Sequence, residues 1–173
     1  MKENQFSNNK LFFYPDRIKK VLDGEAADPV VYEVSLSGNC NCACQYCCCQ
    51  NFHSGSQLTR GQIERVVNEI AANHGEAVTL TGGGEPMMNP EFSYCIDKLS
   101  EKHISVGVIT NGLLLNDANI ESAARHASFF RISLDTADEK LCQSMRGTSL
   151  DCTFLAAQLE KLVRKRDAYG TEL

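Results

Sequence analysis

Gly38-Asn39-Cys40-Asn41-Cys42-Ala43-Cys44-Gln45-Tyr46-Cys47-Cys48-Cys49-Gln50 gathers six of the nine cysteines of this 173-residue chain into one stretch. Within it Cys40, Cys44 and Cys47 stand in a C-x3-C-x2-C spacing, with the aromatic Tyr46 just before the third. Such crowding reads first as a metal site. Three thiolates on one tight loop can hold three corners of a cubane four-iron four-sulfur (4Fe-4S) cluster, whereas ordinary cluster proteins supply four cysteines and close it. The fourth iron then stays open to a ligand. Zinc is the alternative, because Cys42, Cys48 or Cys49 could supply a fourth thiolate and complete a tetrahedron. Adjacent Cys47, Cys48 and Cys49 are poorly placed for ordinary disulfides, and no apolar export signal accompanies them, so a reducing, cytoplasmic setting is expected.

Upstream of the loop, Pro29 opens Val30-Val31-Tyr32-Glu33-Val34-Ser35-Leu36, whose β-branched and aromatic residues read as a first strand. Downstream, Thr59 and Gln62 form a possible capping box, and Ile63, Val66, Val67 and Ile70 share one helical stripe. The alternation then repeats. Ala77 to Thr81 is a second strand running into Gly82-Gly83-Gly84-Glu85-Pro86, and Asn89-Pro90 offers a cap and first-turn proline for a helix bearing Phe92, Ile96 and Leu99. Ile104 to Ile109 is a third strand ending in Thr110-Asn111-Gly112, followed by a helix from about Ile120 to His126. Phe129 to Leu134 is a fourth, reaching Asp135, and helices follow from about Asp138 to Met145 and from about Cys152 to Lys165. Strands alternating with helices imply right-handed crossovers and a parallel sheet. In such sheets ligands bind beyond the carboxyl ends of the strands. The cysteine loop, the glycine run, Thr110 to Gly112 and Ser133 to Asp135 are therefore expected on one rim.

These stretches carry a resemblance. The cysteine spacing, followed in order by Gly83-Gly84-Glu85-Pro86, Thr110-Asn111-Gly112 and Ser133-Leu134-Asp135, resembles the cluster loop and later strand-end motifs of the radical S-adenosylmethionine (SAM) superfamily, from Val30 to about Arg164. The resemblance implies a 4Fe-4S cluster on Cys40, Cys44 and Cys47, with SAM chelating the open iron. It implies reductive cleavage of SAM to a 5′-deoxyadenosyl radical that takes hydrogen from a substrate. On the same basis Gly83, Gly84 and Glu85 receive the SAM ammonium through backbone carbonyls and the carboxylate, and Ser133 reaches its ribose or carboxylate. Asp135 shapes the rim or faces substrate, Arg146 pairs with the SAM carboxylate through a fork suited to it, and Tyr46 lies beside the adenine. Thr110 and Asn111 either hydrogen-bond the ligand or shape the turn at Gly112. No residue is assigned to catalysis beyond the cluster, His53 included, although it lies just past the loop. Cys42, Cys48 and Cys49 are extra to the spacing and are given no catalytic role.

The family's core has about six β/α units, and this sequence carries signals for about four. The expected fold class is α/β, a parallel partial (β/α) barrel of the radical SAM type with its C-terminal units missing, over residues 29–173. Residues 1–28 are expected to form an N-terminal helical cover, with start and stop signals at Pro15 and Gly24. A fragment of a longer enzyme, a short protein completed by a partner chain or by self-association at the open barrel edge, and a degenerate relative all fit this length. With 17 basic and 22 acidic residues, a net charge of -5 and no basic stripe, nucleic acid is not an expected partner. No apolar run approaches the roughly 18 to 20 residues that span a bilayer. The expected partners are an electron donor such as flavodoxin or ferredoxin and a substrate of unidentified class, a peptide or a small molecule. The alternative is a non-catalytic iron-sulfur or zinc module derived from such an enzyme.

Overall fold

The structure, a computed structural model, describes residues 6–149, 151–171 and 173. Residues 1–5 of the expected cover lie outside the described residues. Strands β1 (Val31–Val34), β2 (Ala77–Leu80), β3 (Ser105–Thr110) and β4 (Ala127–Ile132) form one parallel sheet in the order β1-β2-β3-β4. Among the described residues six α-helices accompany them: α1 (Pro15–Leu22), α2 (Arg60–Ala72), α3 (Phe92–Glu101), α4 (Asp117–His126), α5 (Glu139–Arg146) and α6 (Cys152–Tyr169). Strand order equals chain order, and no crossover reverses the winding. That is a barrel sector, not a doubly wound sheet, in which the order reverses at a switch point.

The helices bury their apolar stripes on one face of the sheet. Ile63, Val67 and Ile70 of α2, Phe92, Ile96 and Leu99 of α3, and Ile120, Ala123 and Ala124 of α4 join Val78, Leu80, Val106 and Val108 in a single cluster. Each fully buried aliphatic or aromatic side chain contributes about 1.5–3 kcal/mol. Thr59 and Gln62 do close a capping box at the start of α2. Cys95 and Cys142 are buried as small apolar residues, and burial pushes the Cys95 thiol up to about 12.

The opposite face carries Glu33, Thr79, Gly107 and Phe129 at one level of register. An added Cβ on Gly107 would lie 2.5 Å from Phe129 Cζ and nearer still to Cε1, so any side chain there would displace that ring. The ring of Phe6 meets Phe129 edge to face, with centroids 4.7 Å apart.

Three local expectations are adjusted. β4 starts two residues before Phe129 and ends at Ile132, so Ser133 to Asp135 lie in the loop beyond it. Asn89 Oδ1 accepts from Glu91 N–H at 2.9 Å, the bond expected of a cap, although regular α3 begins only at Phe92 after a turn at Pro90; its Nδ2 is used elsewhere, as described below. And α1 buries none of its residues, so it is tethered rather than packed as a cover. Arg17 donates to the carbonyls of Asp28 and His74, at 3.2 and 2.6 Å.

Candidate functional site

The cysteine loop leaves the end of β1 and returns to the same place. Gly38 N–H donates to Ser56 O at 2.7 Å, Leu58 N–H donates to Leu36 O at 3.0 Å, and Ser37 pairs with Gln57 in an antiparallel bridge. Asn89 clamps this neck, its Nδ2 donating to Leu36 O at 2.8 Å and to Leu58 O at 2.9 Å. The far side of the loop is held by α5. The last carbonyls of a helix have no intrahelical partner, and here two of them accept from the loop. Ala43 N–H reaches Arg146 O at 2.7 Å, and Gln45 N–H reaches Met145 O at 2.9 Å. Gly147, at φ 66°, ends the helix in the left-handed conformation.

The glycine run meets the loop at Gly84. Glu85 N–H donates to Asn39 O at 2.8 Å, and an added Cβ on Gly84 would fall 2.5 Å from Ser37 O and nearer still to Asn39 O. Both are backbone atoms, which cannot step aside as a flexible side chain can. Gly84→Ala is expected to cost about 1–3 kcal/mol through overpacking and to lower the iron retained after reconstitution, as checked by thermal unfolding and iron analysis. Gly83→Ala, with nothing within 4 Å of its added Cβ, is the control and should change neither.

All nine cysteines are free. Cys40, Cys44 and Cys47 are half-buried, while Cys42 points inward and is buried. Asn111 Nδ2 lies 3.4 Å from the Cys42 sulfur. A hydrogen bond from the Cys42 thiol, the largest cause, holds Cys40 down to about 6 against the opposing effect of burial. Donating that bond, together with burial, pushes Cys42 far up. The Cys42 thiol thus supports Cys40 from inside the loop. Among the described residues no three histidine, cysteine or carboxylate side chains converge on a single ion. A cubane cluster makes no such demand, since each thiolate binds a different iron. The three half-buried free thiols, one of them poised as thiolate, fit a cluster.

Glu85 is 3% exposed and ties the rim together. Its Oε1 accepts from Met87 N–H at 3.1 Å and from Thr110 Oγ1 at 2.6 Å, and its Oε2 accepts from Asn111 N–H at 2.8 Å. Burial is the largest influence on this carboxyl and pushes it up, against those donors. Thr110 Oγ1 also accepts from Gly112 N–H at 3.0 Å, and Asn111 Oδ1 accepts from Leu113 N–H at 3.0 Å. Thr110 and Asn111 therefore shape the turn. Asn111 reaches the cysteine loop as well, donating to Asn41 Oδ1 at 2.7 Å.

A second group gathers Tyr46, Ser133, Asp135 and Arg146. Arg146 is 3% exposed; its guanidinium meets Asp135 Oδ2 at 2.7 Å through Nε and through Nη2, and Nη2 also donates to Ser133 O. Tyr46 donates its hydroxyl to Asp135 Oδ2. The bond to Asp135 is the largest cause of a Tyr46 pKa raised to about 12. The neutral phenol is the favoured form, so this contact is present below the ordinary tyrosine range and is lost as pH rises through about 12. In a 295 nm titration, the difference between the protein and its Tyr46→Phe variant should show this late ionisation. The same difference measured on Asp135→Asn should move back toward the ordinary tyrosine value of about 10.

Every residue expected on the rim therefore falls in one connected region, although Glu85 and Arg146 spend most of their polar atoms on neighbouring loops. Sequence reading missed Asn89, whose Asn-Pro context signals a helix start, and the pairing of Arg146 with Asp135 across a helix and a loop. A buried asparagine between two loop ends has no local signature.

Comparison with known proteins agrees with this arrangement. Residues 34–162 match the model of the radical SAM superfamily. The chain is 30% identical over 124 residues to the mycofactocin maturase MftC of Mycobacterium ulcerans, covering 69% of this chain and 32% of that protein. It is 26% identical over 137 residues to the GTP 3′,8-cyclase of Staphylococcus aureus, covering 73% and 40%. The chain thus spans about a third of the length of the curated relatives it matches. Streptococcus suis SuiB, solved with its precursor peptide SuiA, superposes with a TM-score of 0.68 over 96% of this chain and 37% of SuiB, at 19% identity, a likeness of fold. Among the described residues no helix is long and apolar enough to cross a membrane. On its cysteine loop, its sequential parallel sheet and the match over residues 34–162, this chain belongs to the radical SAM superfamily.

Proposed function

We propose that the chain is the cluster- and SAM-binding part of a radical SAM enzyme that removes a hydrogen atom from a peptide. The observation that carries this reading is that the loop bearing three free, half-buried thiols is tied by hydrogen bonds to the rim of buried Glu85 and, through Tyr46 and Asp135, to the buried Arg146 guanidinium. Cys40, Cys44 and Cys47 would hold the 4Fe-4S cluster and leave one iron for SAM. When bound, the cluster and SAM supply the one-electron reductive cleavage that starts hydrogen abstraction, with a flavodoxin or ferredoxin as electron donor.

The chain's own residues bind and orient. Glu85 Oε2 keeps an accepting position besides the bond from Asn111, and with the carbonyls of Gly83 and Gly84 it suits an ammonium group. Arg146 has Nη1 beyond its bonds to Asp135 and Ser133, which suits a carboxylate. Ser133 and Tyr46 are exposed beside it and would line the nucleoside side. A peptide substrate is supported by the maturase among the relatives and by the peptide-bound SuiB fold; the GTP cyclases support a nucleotide as the competing class.

The test is anaerobic reconstitution of the 173-residue chain with iron and sulfide, then reduction, addition of SAM and chromatography for 5′-deoxyadenosine, with iron content and spin-resonance spectra on the same sample. The expected result is a cluster signal that changes on adding SAM, and the cleavage product. Stable zinc without a cluster, or a cluster with no SAM response, would overturn the reading.

A further inference from the structure

His53 lies on the return arm of the cysteine loop, just after a short 3-10 turn at Gln50–Phe52. Its Nε2 is buried and has no hydrogen-bond partner. A buried polar atom left so is costly, and native proteins keep few of them; each calls for an explanation such as a missing ligand. The only other such side-chain atom among the described residues is Gln158 Oε1, on α6. The two arms of the loop are drawn together at Gly38 and Ser56, so His53 returns toward Cys40. The imidazole is near enough for its charge to act on the Cys40 thiol. An unpartnered ring nitrogen and the first cluster cysteine thus belong to one loop, each within three residues of the neck that closes it at Gly38 and Ser56.

We infer that His53 Nε2–H is a hydrogen-bond donor to a sulfur of the cluster at the corner held by Cys40. This rests on the assignment of a cluster to Cys40, Cys44 and Cys47. The ligand that completes the histidine is then the sulfur of the cluster edge or of the Cys40 thiolate. Reduction adds negative charge to a cluster, and donors to its sulfurs stabilise the reduced form and raise the reduction potential. His53 is therefore a positioning residue, which makes the electron easier to load. It forms no bond to iron and touches no reacting atom.

A spin-resonance-monitored redox titration of the reconstituted full chain, without SAM, tests this. His53→Phe fills the space without a donor and should shift the midpoint to more negative potential, with iron and sulfide content unchanged. His53→Gln, whose amide N–H can reach the same position, should return the midpoint to near the unmodified value. A His53→Phe midpoint equal to that of the unmodified chain, at full iron content, would overturn the inference. If His53→Phe holds no iron, His53→Gln decides. Full iron at the unmodified potential supports the donor role, whereas loss of iron or a displaced potential assigns His53 to loop packing and overturns it. An unmodified chain that takes up no cluster removes the cluster assignment itself, a failure distinguishable from an unchanged midpoint.

Discussion

Cys44→Ala is expected to reduce the iron bound after anaerobic reconstitution to background, whereas Cys48→Ala should retain nearly all of it. A cubane cluster held by three thiolates loses an iron corner when one is removed, and the two remaining cysteines cannot keep it in place. The extra cysteines offer no substitute. Cys42 is buried, bonded to Cys40 and touched by Asn111. The Cys48 and Cys49 sulfurs face each other at 3.7 Å on the outside of the loop. Cys44 is only half-buried, so its variant should keep its fold, with a melting temperature within a few degrees of the unmodified chain. Iron and sulfide analysis with spin resonance checks both variants. Loss of the cluster in Cys48→Ala alone would reassign the ligands.

Glu85→Ala should cost about 3 kcal/mol of stability. It strands Met87 N–H, the Thr110 hydroxyl and Asn111 N–H, and each buried donor left unpaired costs about 1–3 kcal/mol. Removing a buried carboxyl that burial already disfavours offsets part of that sum. For a domain of this size the fall in melting temperature is roughly 6–12 °C. SAM binding should weaken while iron is retained, and unchanged SAM affinity would remove Glu85 from the site. A pH dependence accompanies it. Because burial raises the Glu85 carboxyl, the folded chain holds that proton up to a higher pH than the unfolded chain does. The unmodified chain is therefore relatively more stable below the ordinary glutamate range and surrenders that advantage as pH rises through the raised value. Glu85→Gln should lack that slope in chemical denaturation from acid to neutral pH.

Much of this could be read from the chain because the signals are local. The Thr59–Gln62 box and the stripe Ile63, Val67, Ile70 need only a few residues of context and recur in α2. Alternation of strand and helix then places the loops after β1, β2, β3 and β4 at one end of a parallel sheet, where Glu85 does meet Thr110 and Asn111. What could not be read are partners chosen by three-dimensional proximity. Arg146 pairs with Asp135 and holds the cysteine loop through its carbonyl, neither of which a helix-end arginine announces. Asn89 makes the cap bond to Glu91 N–H that its place suggests, but its Nδ2 also bonds Leu36 and Leu58, which nothing local announces. β4 ends at Ile132 where its partner β3 ends at Thr110, and it begins at Ala127 across a register slip at Val106/Gly107; neither limit is visible in the run of β-forming residues.

The attachment of the cysteine loop to the end of α5 has a temporal side. Gln45 and Ser144, joined by a hydrogen bond from the Gln45 side chain, are 99 residues apart. At roughly 5–20 residues per second on the ribosome, the loop emerges about 5–20 s before the carbonyls that pin it. Each strand pairs with the one made just before it, so the sheet can grow vectorially while the thiols hang from a neck fastened only at its base. The loop is pinned only once α5 has been made. Cluster insertion into the nascent chain would meet an open loop, and insertion after release would meet a closed one.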